Sequence, residues 1–173
     1  MSEVELGERL RAVEDELAIR RTQARYAAFA DAKYSPLRRR VDDKAMMDAA
    51  VEQAACFTAQ ARWDGGVFGG TMIGRDALAK WFAAPPWNFA MHYYVAPQIK
   101  IADNAADTRW RLWQVGHRAG EADPLLLAAI TQQRFVRQAD GEWLIDGMRF
   151  EQVQTFPLPP SGFPPVFPTT EIS

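Results

Sequence analysis

The stretch NFAMHYYVAPQIKIA, residues 88–102, decides the fold. It alternates with a period of two: Ala90, His92 and Tyr94 share one face, and Phe89, Met91, Tyr93 and Val95 the other. Residues 107–117, 125–137 and 142–155 read the same way, with Asp140-Gly141 as a tight turn between the last two. Long strands joined in sequence predict a curved, mainly antiparallel sheet. Both faces of 88–102 are rather apolar, as expected where helices cover one side and a partner or tail the other. On the second long strand Trp110, Leu112 and Gln114 alternate with Arg109, Arg111, Trp113 and Val115. Neither set declares itself the inward one.

Upstream of the strands the period is helical. Leu6, Leu10, Val13, Leu17, Ala24 and Ala27 recur at steps of three and four, which predicts one helix over 5–31. Glu8, Arg11, Glu14, Asp15 and Arg25 form its outer face. Asp31 falls seven residues after Ala24, so a carboxylate ends an apolar stripe. Residues 33–43, with Pro36 and Arg38-Arg39-Arg40, read as a loop. A second helix is expected over 44–57, with Met46, Met47, Ala50, Val51, Ala54 and Phe57 inward. Residues 58–64 and 67–73 form a hairpin about Asp64-Gly65-Gly66. A third helix over 75–83 buries Leu78, Trp81 and Phe82 and stops at Pro85-Pro86. Helices first and long strands later make an α+β chain: one domain over 1–155, then a Pro/Phe-rich tail over 156–173. That tail lies across the pocket mouth or a neighbouring subunit, or is disordered; the sequence leaves both open.

Composition excludes several function classes. The 173 residues carry a net charge of −2, and the three-arginine run is too short for a nucleic-acid arm, so no nucleic-acid partner is expected. No apolar run is long enough to span a membrane, and the acidic start is no signal peptide. Cys56 is alone, sits in an apolar run and suits a small buried residue in a reducing cytoplasm. Two histidines and one cysteine make a metal site unexpected. No strand, Gly-rich loop and helix follow in the order a nucleotide site needs, and no Gly-x-Ser-x-Gly elbow is present. Six Trp, ten Phe and four Tyr exceed what a core of this size requires and suit a pocket for a flat, apolar ligand.

The order of motifs carries a resemblance. A long helix ends in Arg25-Tyr26 and Asp31, and Trp63-Asp64-Gly65-Gly66 makes a turn. Gly74-Arg75-Asp76-Ala77-Leu78 opens a short helix, and Met91-His92-Tyr93 lies in a strand followed by three more. Over residues 8–155 this resembles the SnoaL-like branch of the nuclear transport factor 2-like superfamily, which includes scytalone dehydratase and hexachlorocyclohexane dehydrochlorinase. The resemblance implies a cone-shaped, cystatin-like roll: a curved sheet wrapped by three N-terminal helices, with the pocket inside. It implies a catalytic pair in which Asp31 orients His92, the proton acceptor, with Tyr26 polarising the substrate. It also suggests His117 as a second pocket histidine, although that residue stands near its strand's end.

Residue chemistry agrees with such a pair. Imidazoles titrate near neutrality, so a histidine serves as a general base there. A buried aspartate fixes its tautomer and stabilises the imidazolium. The pair needs no metal and no organic cofactor, only a substrate with an acidic C–H. Tyr94 shares the face of His92; Trp63, Trp87, Trp113 and Phe68 are candidate walls, for which a core role is the simpler reading. Asp31 equally suits a helix-end cap. Three functions follow. The first is a cofactor-independent lyase (carbon–oxygen, carbon–halide or retro-aldol carbon–carbon) or isomerase acting on a small apolar or aromatic substrate. The second is a non-catalytic ligand-binding or assembly subunit of the dioxygenase β type. The third is a polyketide cyclase using the carboxylate as base. A homodimer or homotrimer is expected on any of them.

Overall fold

A computed structural model describes the protein over residues 2–121 and 123–158. Helix α1 (Glu3–Asp31) is followed by α2 (Asp43–Ala55), β1 (Phe57–Asp64), a 3-10 turn (Gly66–Phe68), β2 (Thr71–Ile73) and α3 (Arg75–Phe82). Four long strands complete the chain: β3 (Trp87–Ala102), β4 (Ala105–Arg118), β5 (Leu125–Arg137) and β6 (Trp143–Pro157). They form one curved, unclosed sheet in the order β2-β1-β6-β5-β4-β3, antiparallel everywhere except the parallel β1–β6 pair. The curved, mainly antiparallel sheet is the one the strand pattern predicts, and with its helices it makes the α+β cone that the resemblance implies. Strand β6 runs through Phe156 and Pro157, two residues into the expected tail; the tail from residue 159 onward lies outside the described residues.

The curvature has local causes. Register shifts in β3 between Val95 and Gln98, where Ala96 has φ 47°, and the β5–β6 ladder slips beside Gln152, with φ 51°. Each bulge bends its strand and tightens the twist. Pro97 is tolerated because β3 is an edge strand with one neighbour. The second half of the predicted hairpin is mostly turn, leaving only Thr71–Ile73 in the sheet, paired with Asp64–Arg62.

Helix α1 corrects the sequence reading. Leu6, Leu10, Val13 and Leu17 are exposed, and the buried face is Asp15, Ile19, Thr22, Gln23, Tyr26 and Ala30. Residues 3–14 are exposed all round, and Leu17 lies on the face away from the buried Asp15 and Ile19. Further along, the helix meets the sheet through polar contacts. Asp15 pairs with Arg137 and accepts the Trp143 indole N–H at 3.0 Å, while Thr22 Oγ1 donates to the Trp143 carbonyl at 2.7 Å. In α2, Met46, Ala50 and Ala54 pack inward as expected, but Met47 and Val51 are exposed and Phe57 begins β1 instead of ending the helix. Leu78 and Phe82 of α3 are buried.

The core has two parts. Ile19, Phe57, Trp110, Phe135, Trp143 and Ile145 fill the end beneath α1. Tyr34, Trp87, Leu112, Leu125 and Leu127 pack at the other end. Cys56 is buried, and burial pushes its thiol up to about 11, which suits an inert core residue. Among the described residues no helix is long and apolar enough to cross a membrane.

Candidate active site

The register of β3 on β4 settles which way the sheet faces. His92 stands opposite Gln114 and Tyr94 opposite Leu112, and on β4 the even-numbered residues Thr108, Trp110, Leu112 and Gln114 are the buried ones. These side chains look into the curl of the sheet, where a cavity of about 100 Å³ lies. Tyr26 and Ala30 of α1 line it, with Lys33 and Tyr34 of the following loop, Gln53 of α2, Trp81 and Phe82 of α3 and Phe150 of β6. Trp63, Phe68, Trp87, His92 and Tyr94 line it as well.

Asp31 is the last residue of α1, and from there it reaches β3. The His92 Nδ1–H donates to Asp31 Oδ1 at 2.7 Å. The His92 backbone N–H donates to the same carboxylate, at 3.1 Å to Oδ1 and 3.4 Å to Oδ2. An edge strand makes this possible, because every second backbone N–H on β3 points away from β4 and needs another acceptor. With Nδ1 held by Asp31, the His92 ring lines the cavity, while Asp31 itself is not part of the lining. Asp31 is therefore not the foot of an apolar stripe, as the sequence implied; it reaches its partner from the helix end.

Two phenols sit beside the imidazole. The rings of Tyr26 and Tyr94 lie 5.9 Å apart at 68°. Burial pushes Tyr26 up to about 12, opposed by hydrogen bonds with Tyr94, Gln53 and Trp63, and burial, with Tyr26 close by, holds Tyr94 well above its usual value. Both stay protonated near neutrality and so present hydroxyls.

Two candidates from the sequence lie elsewhere. Trp113 is 48% exposed on the outer face of β4, because it has the opposite parity to Leu112 and Gln114. His117 has that same parity, pairs with Phe89 and does not line the cavity. Conversely, sequence reasoning missed Lys33, Tyr34, Gln53 and Gln114. Gln114 was recognisable as a polar member of an alternating strand once the inward set was known. Lys33 gave no signal: it sits in what reads as a solvated loop, yet its ammonium donates to Gln53 Oε1 at 2.9 Å and to the Phe82 carbonyl at 3.3 Å. Arg40 of the arginine run is likewise no mere solvated charge, since it binds the Trp87 carbonyl at 2.8 Å and also the Pro85 carbonyl, fastening this loop over the pocket rim.

The indole walls rest on glycines. A β-carbon at Gly65 would strike Trp63, one at Gly69 would strike Trp81 and one at Gly116 would strike Trp87. Among the described residues no cluster of three or more His, Cys, Asp or Glu side chains is placed to hold a metal ion.

The family model described as a SnoaL-like domain matches residues 11–149. Solved structures similar to the chain include a candidate scytalone dehydratase from Novosphingobium aromaticivorans, at 18% identity and TM-score 0.64, covering 83% of this chain and 88% of that one. A second protein from that organism, described as NTF2-like with a cystatin-like fold, has 18% identity and TM-score 0.64 over 86% and 88% of the two chains. A hexachlorocyclohexane dehydrochlorinase from Novosphingobium barchaimii has 18% identity and TM-score 0.63 over 87% and 97%. At such identities the likeness is one of fold. No curated protein matches the chain.

Proposed function

Since the chain belongs to the SnoaL-like domain family, we propose that it is a cofactor-independent lyase or isomerase in which His92 removes a proton from a small, largely apolar substrate. The observation that carries this reading is the Asp31–His92 contact, with Nδ1 tied to the carboxylate and the ring on the cavity wall. Nε2 accepts the proton, and the electrons of the C–H bond form a double bond as a halide departs with its bonding pair or a hydroxyl departs as water by taking the proton back from the imidazolium. In a retro-aldol cleavage the base takes a hydroxyl proton instead, and the O–H pair forms a carbonyl as the C–C bond breaks. A double-bond shift would use the same base. Asp31 stabilises the imidazolium, and Tyr26 and Tyr94, kept protonated by burial, donate hydrogen bonds to the substrate. The dehydratase and dehydrochlorinase among the similar structures support this reaction class.

A polyketide cyclase fits less well. It would use the carboxylate as base, but Asp31 does not line the cavity, and about 100 Å³ suits one ring better than a fused polycycle. The binding or assembly reading draws support from the exposed Met91, Tyr93, Val95 and Trp113 on the outer face. Exchange separates the readings. Small aromatic and alicyclic compounds with a hydroxyl or halide β to an acidic C–H are incubated in deuterated buffer and followed by NMR. The wild type should eliminate or exchange at least one of them. His92→Ala and Asp31→Asn should each lose at least about 100-fold while keeping the wild-type circular dichroism. Full activity in either variant sinks the dyad, and a wild type that binds compounds without exchange, while co-purifying with a larger chain, favours assembly.

A further inference from the structure

Around the cavity, N–H donors outnumber the acceptors that could satisfy them. An ammonium has three N–H bonds, and Lys33 uses one on Gln53 and one on the Phe82 carbonyl, which leaves a third. Its remaining close contact is the Phe82 ring, 5.6 Å to the centroid. Among the described residues Lys33 forms no ion pair, and Asp31, whose charge reaches it, is engaged by His92. The Gln114 amide nitrogen is buried without a hydrogen-bond partner. Lys33 and Gln114 line the same small, aromatic cavity as His92. Buried donors left unpaired are costly, and a buried ammonium without a counter-charge more so. The missing partner is an oxygen that accepts, and preferably one that carries negative charge.

We propose that Lys33 and Gln114 hold the carbonyl oxygen of the substrate, which is then a small carbonyl compound with an acidic C–H on the α-carbon and a leaving group on the β-carbon. The proposal rests on His92 as the base. Gln114 stands directly across the ladder from His92, so the donor and the base are neighbours on one face of the sheet. His92 Nε2 takes the α-proton. The C–H electron pair moves onto the carbonyl oxygen, and the resulting enolate is bound by the free N–H of Lys33 and the Gln114 amide. The enolate pair then returns to form the C=C bond and expels the β-substituent. A departing hydroxyl takes the proton back from the imidazolium and leaves as water; a halide leaves with its bonding pair. Burial lowers Lys33 to about 8 against the pull of Asp31, so at neutral pH it is still largely an ammonium, and a neighbouring oxyanion restores the charge balance that burial removed.

A phenolate oxygen stands in for the enolate. The wild type is titrated with 4-nitrophenol, in buffer acidic enough to keep the free compound neutral, and separately with nitrobenzene, which lacks that oxygen. The expected result is 4-nitrophenol bound as the yellow phenolate. Lys33→Met should weaken phenolate binding about tenfold or more while nitrobenzene affinity stays within about twofold. If Lys33→Met does not fold, Gln114→Leu carries the same comparison, with a smaller loss confined to the phenolate. Binding of 4-nitrophenol only as the neutral phenol, equal loss for both probes, undiminished phenolate binding in Lys33→Met, or binding of neither probe to the wild type each overturns the proposal. Colour lost in His92→Ala but kept in Lys33→Met assigns the charge to the imidazole and overturns it too. A His92→Ala variant that keeps both turnover and the phenolate preference sinks His92 as the base and leaves the oxygen subsite standing.

Discussion

Asp31 is misplaced by the ordinary rules of helices. A carboxylate in the last turn faces the negative end of the helix dipole, at a cost of about 0.3–1 kcal/mol, and no basic residue in that turn offsets it. Its compensation is the pair of N–H groups of His92, one from the ring and one from the backbone. A local rule broken in favour of one specific contact is what a working site looks like. Lys33 is the second such residue, and it makes a prediction about stability. Below about 8 it is protonated folded and unfolded, and above 10.5 it is neutral in both; between these values the unfolded chain binds the extra proton. The wild type should therefore gain stability relative to Lys33→Met as the pH rises through that window, by at most about 3 kcal/mol. Urea melts of both proteins across the window measure it; a constant difference would refute it. Tyr26, Tyr34 and Tyr94, all raised by burial, cost both proteins stability as the unfolded tyrosines ionise near 10, and so cancel in the difference. Asp31 and His92 were picked out by the family resemblance, and Asp31 also by its place at the end of an apolar stripe that the structure leaves exposed. Lys33 was not, since nothing local distinguishes a buried loop lysine from a solvated one.

Among the elements, α1 shows where pattern reading fails. Its apolar positions point outward and its buried face is partly polar, because Asp15 is joined to Arg137 and Trp143 at the sheet's end. Periodicity counts apolar residues and is blind to a carboxylate that is buried with its partners. Asp15→Ala should strip that cluster and leave the Arg137 charge half-buried, lowering stability by about 3 kcal/mol, as read by chemical denaturation. A loss under about 0.5 kcal/mol would mean the pair behaves as a surface ion pair. The four long strands, by contrast, were legible to within a few residues, since alternation over ten or more positions has no helical interpretation. What alternation could not reveal was the inward set of β4, where both sets mix polar with aromatic residues. Only pairing with β3 distinguishes them.

At the scale of the whole molecule, the described residues leave an apolar surface on the outside of the sheet. Met91, Tyr93 and Val95 of β3 are exposed beside Trp113 of β4, with Tyr93 and Trp113 directly paired. A contiguous patch of this kind on a strand edge invites a second copy. We expect the wild type to run as a dimer or trimer in light scattering, and Tyr93→Glu with Trp113→Glu to run as a smaller, folded species; a monomeric wild type would refute this. The double variant should leave the inward face untouched, because the two sides of a strand are independent. The glycines behind Trp63, Trp81 and Trp87 bear on the protein's ancestry. At Gly65, where a β-carbon meets only the Trp63 side chain and the backbone angle suits any residue, one added methyl re-cuts the chamber without exchanging a residue that a ligand touches. Descendants of this chain therefore have a path to new substrates that a comparison of lining residues would never register.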